Sequence, residues 1–168
     1  MGSISHGFLA VALTALAGCA GHSPYGGMQS REIKALSAAD IEGLRQGRGM
    51  GFALAAELNG YPGPLHVLEL ADRLALTPAQ RSATLALERR MTADALAAGE
   101  ELIQAERELD QLFAGHAATP ERLNESLARV ARAQARVRGA HLQAHLEQVR
   151  LLTADQVATY NRLRGYGG

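Results

Sequence analysis

The 168-residue chain predicts an all-α fold, an elongated antiparallel helical hairpin with short flanking helices, and three observations carry that expectation. Aromatic residues are only 4% of the chain and Trp is absent, while Ala, Leu, Arg, Glu and Gln, all good helix formers, dominate. Apolar or small residues recur at steps of three and four through two long stretches, the spacing of one face of a helix. Helix-start chemistry stands ahead of those stretches, at Ser37, Thr77-Pro78, Thr119-Pro120 and Thr153. Seventeen basic residues balance seventeen acidic ones, so no overall field favours nucleic acid, which is not expected as a partner.

The first element is an address. Phe8 to Leu16, "FLAVALTAL", is apolar but too short to span a bilayer as a stable helix, and small residues follow it as in a signal-peptide cleavage region. "LAGC", Leu16 to Cys19, resembles a bacterial lipobox. That resemblance implies a lipoprotein signal peptide over 1–18 and a Cys19 thiol joined to diacylglycerol as the first residue of the mature chain. With neutral Ala20 next, it further implies a periplasmic protein held by its lipid at the outer membrane. The other reading of Cys19 is an ordinary small buried residue. As the single cysteine it leaves no intramolecular disulfide. Residues 19–36 include the Gly- and Ser-rich "AGHSPYGGMQS" and are expected to be a flexible tether.

The folded domain is expected over 37–164, with 165–168 a frayed tail. Ser37 opens a helix that Gly47, Gly49 and Gly51 interrupt, which predicts two short helices and a hinge. A phosphate loop is not expected there, because no strand precedes the glycines and no Gly-Lys-Ser/Thr follows. "NGYPGP", Asn59 to Pro64, is a turn that launches the short helix "LHVLELADRLA". The main helix runs from Thr77 to about Phe113, with Met91, Ala95, Ala98, Leu102, Ala105, Leu109 and Leu112 on one seam. The next runs from Thr119-Pro120 to about Leu151, with Leu123, Leu127, Val130, Val137, Leu142, Leu146 and Val149 on its apolar side. Residues 78–113 hold seven acids and four arginines, and residues 120–150 hold three acids and six arginines. An acidic helix beside a basic one favours an antiparallel pair. A last short helix reaches about Arg164.

One frame occurs twice. Leu76, Thr77 and Gln80 in "LTPAQ" return as Leu152, Thr153 and Gln156 in "LTADQ". Each is a capping box, in which Thr oxygen accepts the N3 amide and the Gln side chain reaches back to the N-cap amide. Leu152 is placed to pack on Val157 as a hydrophobic staple. An exported, disulfide-free, Ala- and Arg-rich helical chain with L-T-x-x-Q before and after a long hairpin resembles the Spy/CpxP family of periplasmic proteins. "AELNGYPGPLHVLELADRLALTPAQ" is similar to the branch often labelled periplasmic heavy-metal sensor or refolding chaperone. The resemblance spans about 37–164. It implies an ATP-independent chaperone, not an enzyme, built as a curved, cradle-like homodimer that binds unfolded or partly folded clients and limits aggregation in envelope stress. A lone hairpin with an Ala-rich seam also leaves apolar face uncovered, which independently favours a homodimer.

Two sets of residues are candidates for function. Arg129, Arg132 and Arg136 fall at steps of three and four on one helix face, either as a solvated or acid-paired stripe or as a basic lining that binds clients. His141 and His145 lie four apart, within reach of one divalent transition metal (Zn, Ni or Cu), and His66 with Glu69 has a similar relation. The rival reading is therefore a heavy-metal binding or sensing lipoprotein. No third ligand stands near either pair in sequence, so no cofactor is required by the pattern. There is also no nucleophile elbow and no His-Glu-x-x-His.

Overall fold

The computed structural model describes residues 23–166, and all its regular structure is helical, with no strand among the described residues. Cys19, the apolar leader and the last two glycines lie outside them. A 3-10 turn at Met28–Ser30 precedes α1 (Ala38–Arg45), α2 (Leu54–Glu57), α3 (Pro64–Glu69), α4 (Pro78–Ala114), α5 (Pro120–Leu151) and α6 (Ala154–Arg164). Among the described residues no helix is long and apolar enough to cross a membrane.

Helices α4 and α5 form the frame. At 1.5 Å per residue α4 is about 55 Å long. The ion pairs Arg90–Glu147, Arg136–Glu101 and Arg129–Glu108 fix the register. An advance of eleven and then seven residues along α4 is matched by an equal retreat along α5, so the two run antiparallel without a slip. Ala95, Ala98, Leu102, Ala105 and Leu112 of the expected α4 seam are buried; Met91 and Leu109 are half-buried.

The buried face of α5 differs from the expected one. Ser126, Ala133, Val137, His141, Ala144, His145 and Gln148 are buried, whereas Leu127 and Leu146 are exposed. Small residues let α5 lie close to α4; the buried Gln148 amide donates to Thr84 Oγ1 at 3.2 Å, while its Oε1 has no hydrogen-bond partner among the described residues. The α1–α3 segment covers the histidine end.

That segment packs along the hairpin earlier than the expected boundary at Ser37. Ile33 is fully buried with Leu44, Leu102, Ile103 and Val137. Lys34 pairs with Asp110 at 3.3 Å, and Arg107 with Glu32 at 2.9 Å. One isoleucine and two ion pairs thus dock residues that composition alone assigns to the tether. Ser37 and Asp40 make a reciprocal capping box for α1. The helix then crosses α4 at Gly99, where a Cβ would lie 2.6 Å from Leu44 O. Gly47 and Gly51 have positive φ, and the chain between them separates α1 from α2, the two short helices expected there. α3 is shorter than the predicted helix. After Glu69 the chain closes in turns ending at Ala75, φ +49°, with Leu76 N donating to Ala71 O.

The repeated frame brings two helix starts together. Thr77 and Thr153 each accept from their own N3 amide at 3.2 Å. Gln80 Oε1 accepts from Thr77 N, and Gln156 Oε1 from Thr153 N. The two side-chain amides also bond each other in both directions, at 2.8 and 3.1 Å. Their remaining N–H groups donate to Leu151 O and Leu74 O. Each glutamine therefore has two donations and two acceptances, the full capacity of its amide. Leu76 and Leu152 pack in one cluster with Val67, Ala71, Leu74 and Tyr160. In each frame Leu fills this second core, Thr caps its helix, and Gln locks α4's start to α6's.

Candidate functional site

The α1–α3 segment does not seal the hairpin. Between it, α4, α5 and α6 lies a cleft of about 550 Å³. Its rim carries the apolar Met50, Leu54 and Leu65 on one side and Met91 on α4, interspersed with the polar Gln46, Arg48, His66 and Glu88. Its floor is polar: Glu57 from the end of α2, His141 and His145 from successive turns of α5, and Arg164 from α6.

Glu57 is only 7% exposed, the most unusual placement in the molecule for a carboxylate. Its Oε1 accepts from Tyr160 Oη at 2.5 Å and lies 3.6 Å from Arg164 Nε. Burial, then the carboxylate beside it, pushes the Tyr160 phenol well above its ordinary range, so it remains a neutral donor. Glu57 Oε2 has no hydrogen-bond partner among the described residues. His145 Nδ1 is 2.6 Å from Tyr61 O and 3.7 Å from Glu57 Oε2. A carbonyl only accepts, so Nδ1 carries the proton and donates to Tyr61; the contact with Glu57 is electrostatic. In the neutral ring Nε2 then holds the lone pair.

Gly63 gives these acceptors their space. A Cβ there would lie 3.0 Å from His145 Nε2 and 3.5 Å from Glu57 Oε2. One turn earlier on α5, His141 is buried with Nε2 unpartnered. Desolvation, then the neighbouring His145, holds its pKa below the usual imidazole value, so His141 is neutral at pH 7.

The two histidines picked out by their spacing thus share one cleft, while Glu57, Tyr160, Arg164 and Gly63 were not singled out beforehand. Glu57 had a signal in sequence, an acid standing alone in the apolar run "FALAAEL" just before the 59–64 turn. Tyr160 and Arg164 had none, because α6 reaches Glu57 only through the fold. His66 Nδ1 and Glu69 Oε2 bond each other at 2.8 Å. No three His, Cys, Asp or Glu side chains among the described residues are grouped to hold one metal ion.

The three candidate arginines lie elsewhere, on a shallow groove of about 630 Å³ between α4 and α5, floored by Ala105 and Ala133. Arg129 pairs with Glu108 at 3.3 Å and Arg136 with Glu101, as the acidic-beside-basic reading expects. Arg132 is exposed on the same groove. No family model, curated protein or solved structure matches the chain.

Proposed function

We propose that the protein is an ATP-independent chaperone of the bacterial envelope that holds unfolded clients along the rim of the α1–α3 cleft. The observation that carries this reading is the exposure of Met50 (41%), Leu54 (54%), Leu58 (56%), Tyr61 (38%) and Leu65 (50%) within one short segment. Large apolar side chains gathered on a surface mark a site of protein contact. A methionine and several leucines at hinged, short helices can re-pack against varied sequences. The rim takes precedence over the arginine stripe, because Arg129 and Arg136 spend charge on Glu108 and Glu101. In this reading Arg132 adds an electrostatic contact, a homodimer presents two rims, and lipidated Cys19 holds them at the periplasmic face of the outer membrane.

The test is light scattering from a reduced or heat-unfolded secreted protein, without ATP, with the full chain present. Suppression by the wild type, lost in the combined variant Leu54→Ser, Leu58→Ser, Leu65→Ser, is the expected result. No suppression by the wild type overturns the proposal.

A second reading has one specific observation behind it. His141, whose Nε2 is buried and unpartnered, shares the cleft with His145, although no third His, Cys, Asp or Glu among the described residues is grouped with the pair to hold one ion. This donor chemistry fits a borderline cation such as Zn²⁺, Ni²⁺ or Cu²⁺, with Met91 as an additional soft neighbour. Micromolar or tighter binding, abolished by His141→Ala with His145→Ala, together with no holding activity, would favour a metal-binding role over the chaperone.

A further inference from the structure

We propose that the tip end of the α4–α5 hairpin seats on the bilayer beside the chain's own anchor, through an apolar patch of Phe113, Leu127 and Tyr25, and so holds the client cleft away from the membrane. The anchor rests on the lipidated-Cys19 reading; the patch rests on the packing of the hairpin.

The docked N-terminal segment shows where the chain leaves the fold. Ile33 is buried in one cluster with Ile103, against which Val130 packs. Lys34 bonds Asp110 through both its backbone amide and its ammonium group, at 3.3 Å each. Ser23, Tyr25 and Met28 fold back around Lys34 and line one shallow pocket with it. The described chain therefore begins near Asp110, one turn of α4 short of the hairpin tip. Cys19 stands four residues before Ser23, a reach of at most about 14 Å. The cleft lies at the other end, since Met91 is nineteen residues up α4 from Asp110, or about 29 Å. A lipid on Cys19 thus places the tip, and not the cleft, beside the bilayer.

That end carries apolar surface with no use inside the molecule. Residues 31–36 cover a face of the hairpin through Ile103 and Asp110 of α4 and Val130 of α5. Helical spacing continues this face toward the tip, because Phe113 stands three residues beyond Asp110 and Leu127 three before Val130. The Arg129–Glu108 register sets Leu127 level with Asp110. Phe113 is 55% exposed, Leu127 46% and Tyr25 73%. Aromatic rings suit the boundary between headgroups and acyl chains, and the tyrosine hydroxyl stays wet there. Lys34 and Asp110 neutralise each other, and Glu121 adjoins Arg122, so the tip selects apolar depth and not anionic headgroups. Three such side chains are a weak hold for a free protein. Beside a resident acyl anchor the contact becomes intramolecular, and weak burial suffices.

The chain has no tryptophan, so Phe113→Trp, Leu127→Trp and, on the cleft rim, Leu65→Trp give three single-reporter proteins. Each full chain is isolated from bacterial membranes and reconstituted into phosphatidylcholine vesicles with plain or dibrominated acyl chains. Bromine should quench the reporters at 113 and 127 by about twofold or more, in low and high salt alike, and leave Leu65→Trp unchanged. Equal emission of Phe113→Trp in the two lipids, or quenching that high salt removes, overturns the apolar seat. Leu65→Trp quenched as strongly as Phe113→Trp overturns the orientation.

A client surface at the tip is the rival occupant. Phe113→Ser with Leu127→Ser should leave aggregation suppression at the wild-type level, and its loss overturns the proposal. Mass spectrometry of the Cys19 peptide keeps the two readings apart. If it carries no diacylglycerol, the lipoprotein reading fails, and the patch is read on the chain coupled through its one cysteine to a maleimide-bearing phospholipid. There, quenching of Phe113→Trp supports the seat and unquenched emission overturns it.

Discussion

Replacing Gln80 by Ala removes four hydrogen bonds from one point: those to Thr77 N and Leu151 O, and the reciprocal two with Gln156. Each such bond is worth about 0.5–1.5 kcal/mol net, and the groups here are part-buried, so the loss should be about 3 kcal/mol. Gln156→Ala removes the same kinds of bond at the other cap and should cost about as much. Two bonds are common to both glutamines, so the double variant should lose about 1.5 kcal/mol less than the sum of the singles. Equilibrium urea unfolding of the four proteins at one fixed protomer concentration measures this, since any dimer makes stability depend on concentration. Two independent capping boxes would instead add to within about 0.5 kcal/mol, and such additivity would refute the shared clamp.

Three further changes test other parts of the packing. Gly99→Ala should destabilise the chain by roughly 1–3 kcal/mol, although alanine is the better helix former, because its methyl meets the backbone oxygen of Leu44; an unchanged urea midpoint would remove α1 from that crossing. Ala75→Gly should stabilise by about 0.5–1 kcal/mol, since Ala75 is exposed at φ +49° and gains nothing from its Cβ. Stability should also fall on acidification through His141. Its unfolded ring protonates near pH 6.5 and its buried ring only at lower pH, so within that window the unfolded chain binds more protons. Stability is then full above about pH 6.5, declines below it and levels off beneath the folded pKa. The midpoint of His141→Gln should lack this part of the slope.

Helix starts were the most legible feature of the chain, because caps are local chemistry. Ser37, Thr77, Thr119 and Thr153 all cap where their sequences place them. The α4 seam was nearly as clear, since its alanines and leucines keep one spacing over many turns. The face of α5 was not, because apolar residues are spread around it and burial goes to small and polar side chains that fit against α4. A periodicity count rewards Leu127 and Leu146, while close packing rewards Ser126, Ala133 and Ala144. The site was legible only in part for a related reason. His141 and His145 share a face by spacing alone, whereas Glu57, Tyr160 and Arg164 come from elements that meet only after the L-T-x-x-Q clamp brings α6 beside the α1–α3 segment.

The claim that clients are held at the cleft rim is tested most directly by placing a photo-crosslinking amino acid at Leu58, exposed in the same α1–α3 segment as the rim residues Leu54 and Leu65, at Arg132 on the groove and at Gln143 on exposed α5 surface, and irradiating each full chain with an unfolding client. Leu58 is exposed one turn after Leu54, so its substitution leaves the buried network of Glu57 and Tyr160 in place. The account predicts strong client adducts from Leu58, weaker ones from Arg132 and background from Gln143, with the Leu58 adducts lost when the client is folded. Adducts of equal yield from all three positions, or from Arg132 and not Leu58, would contradict it.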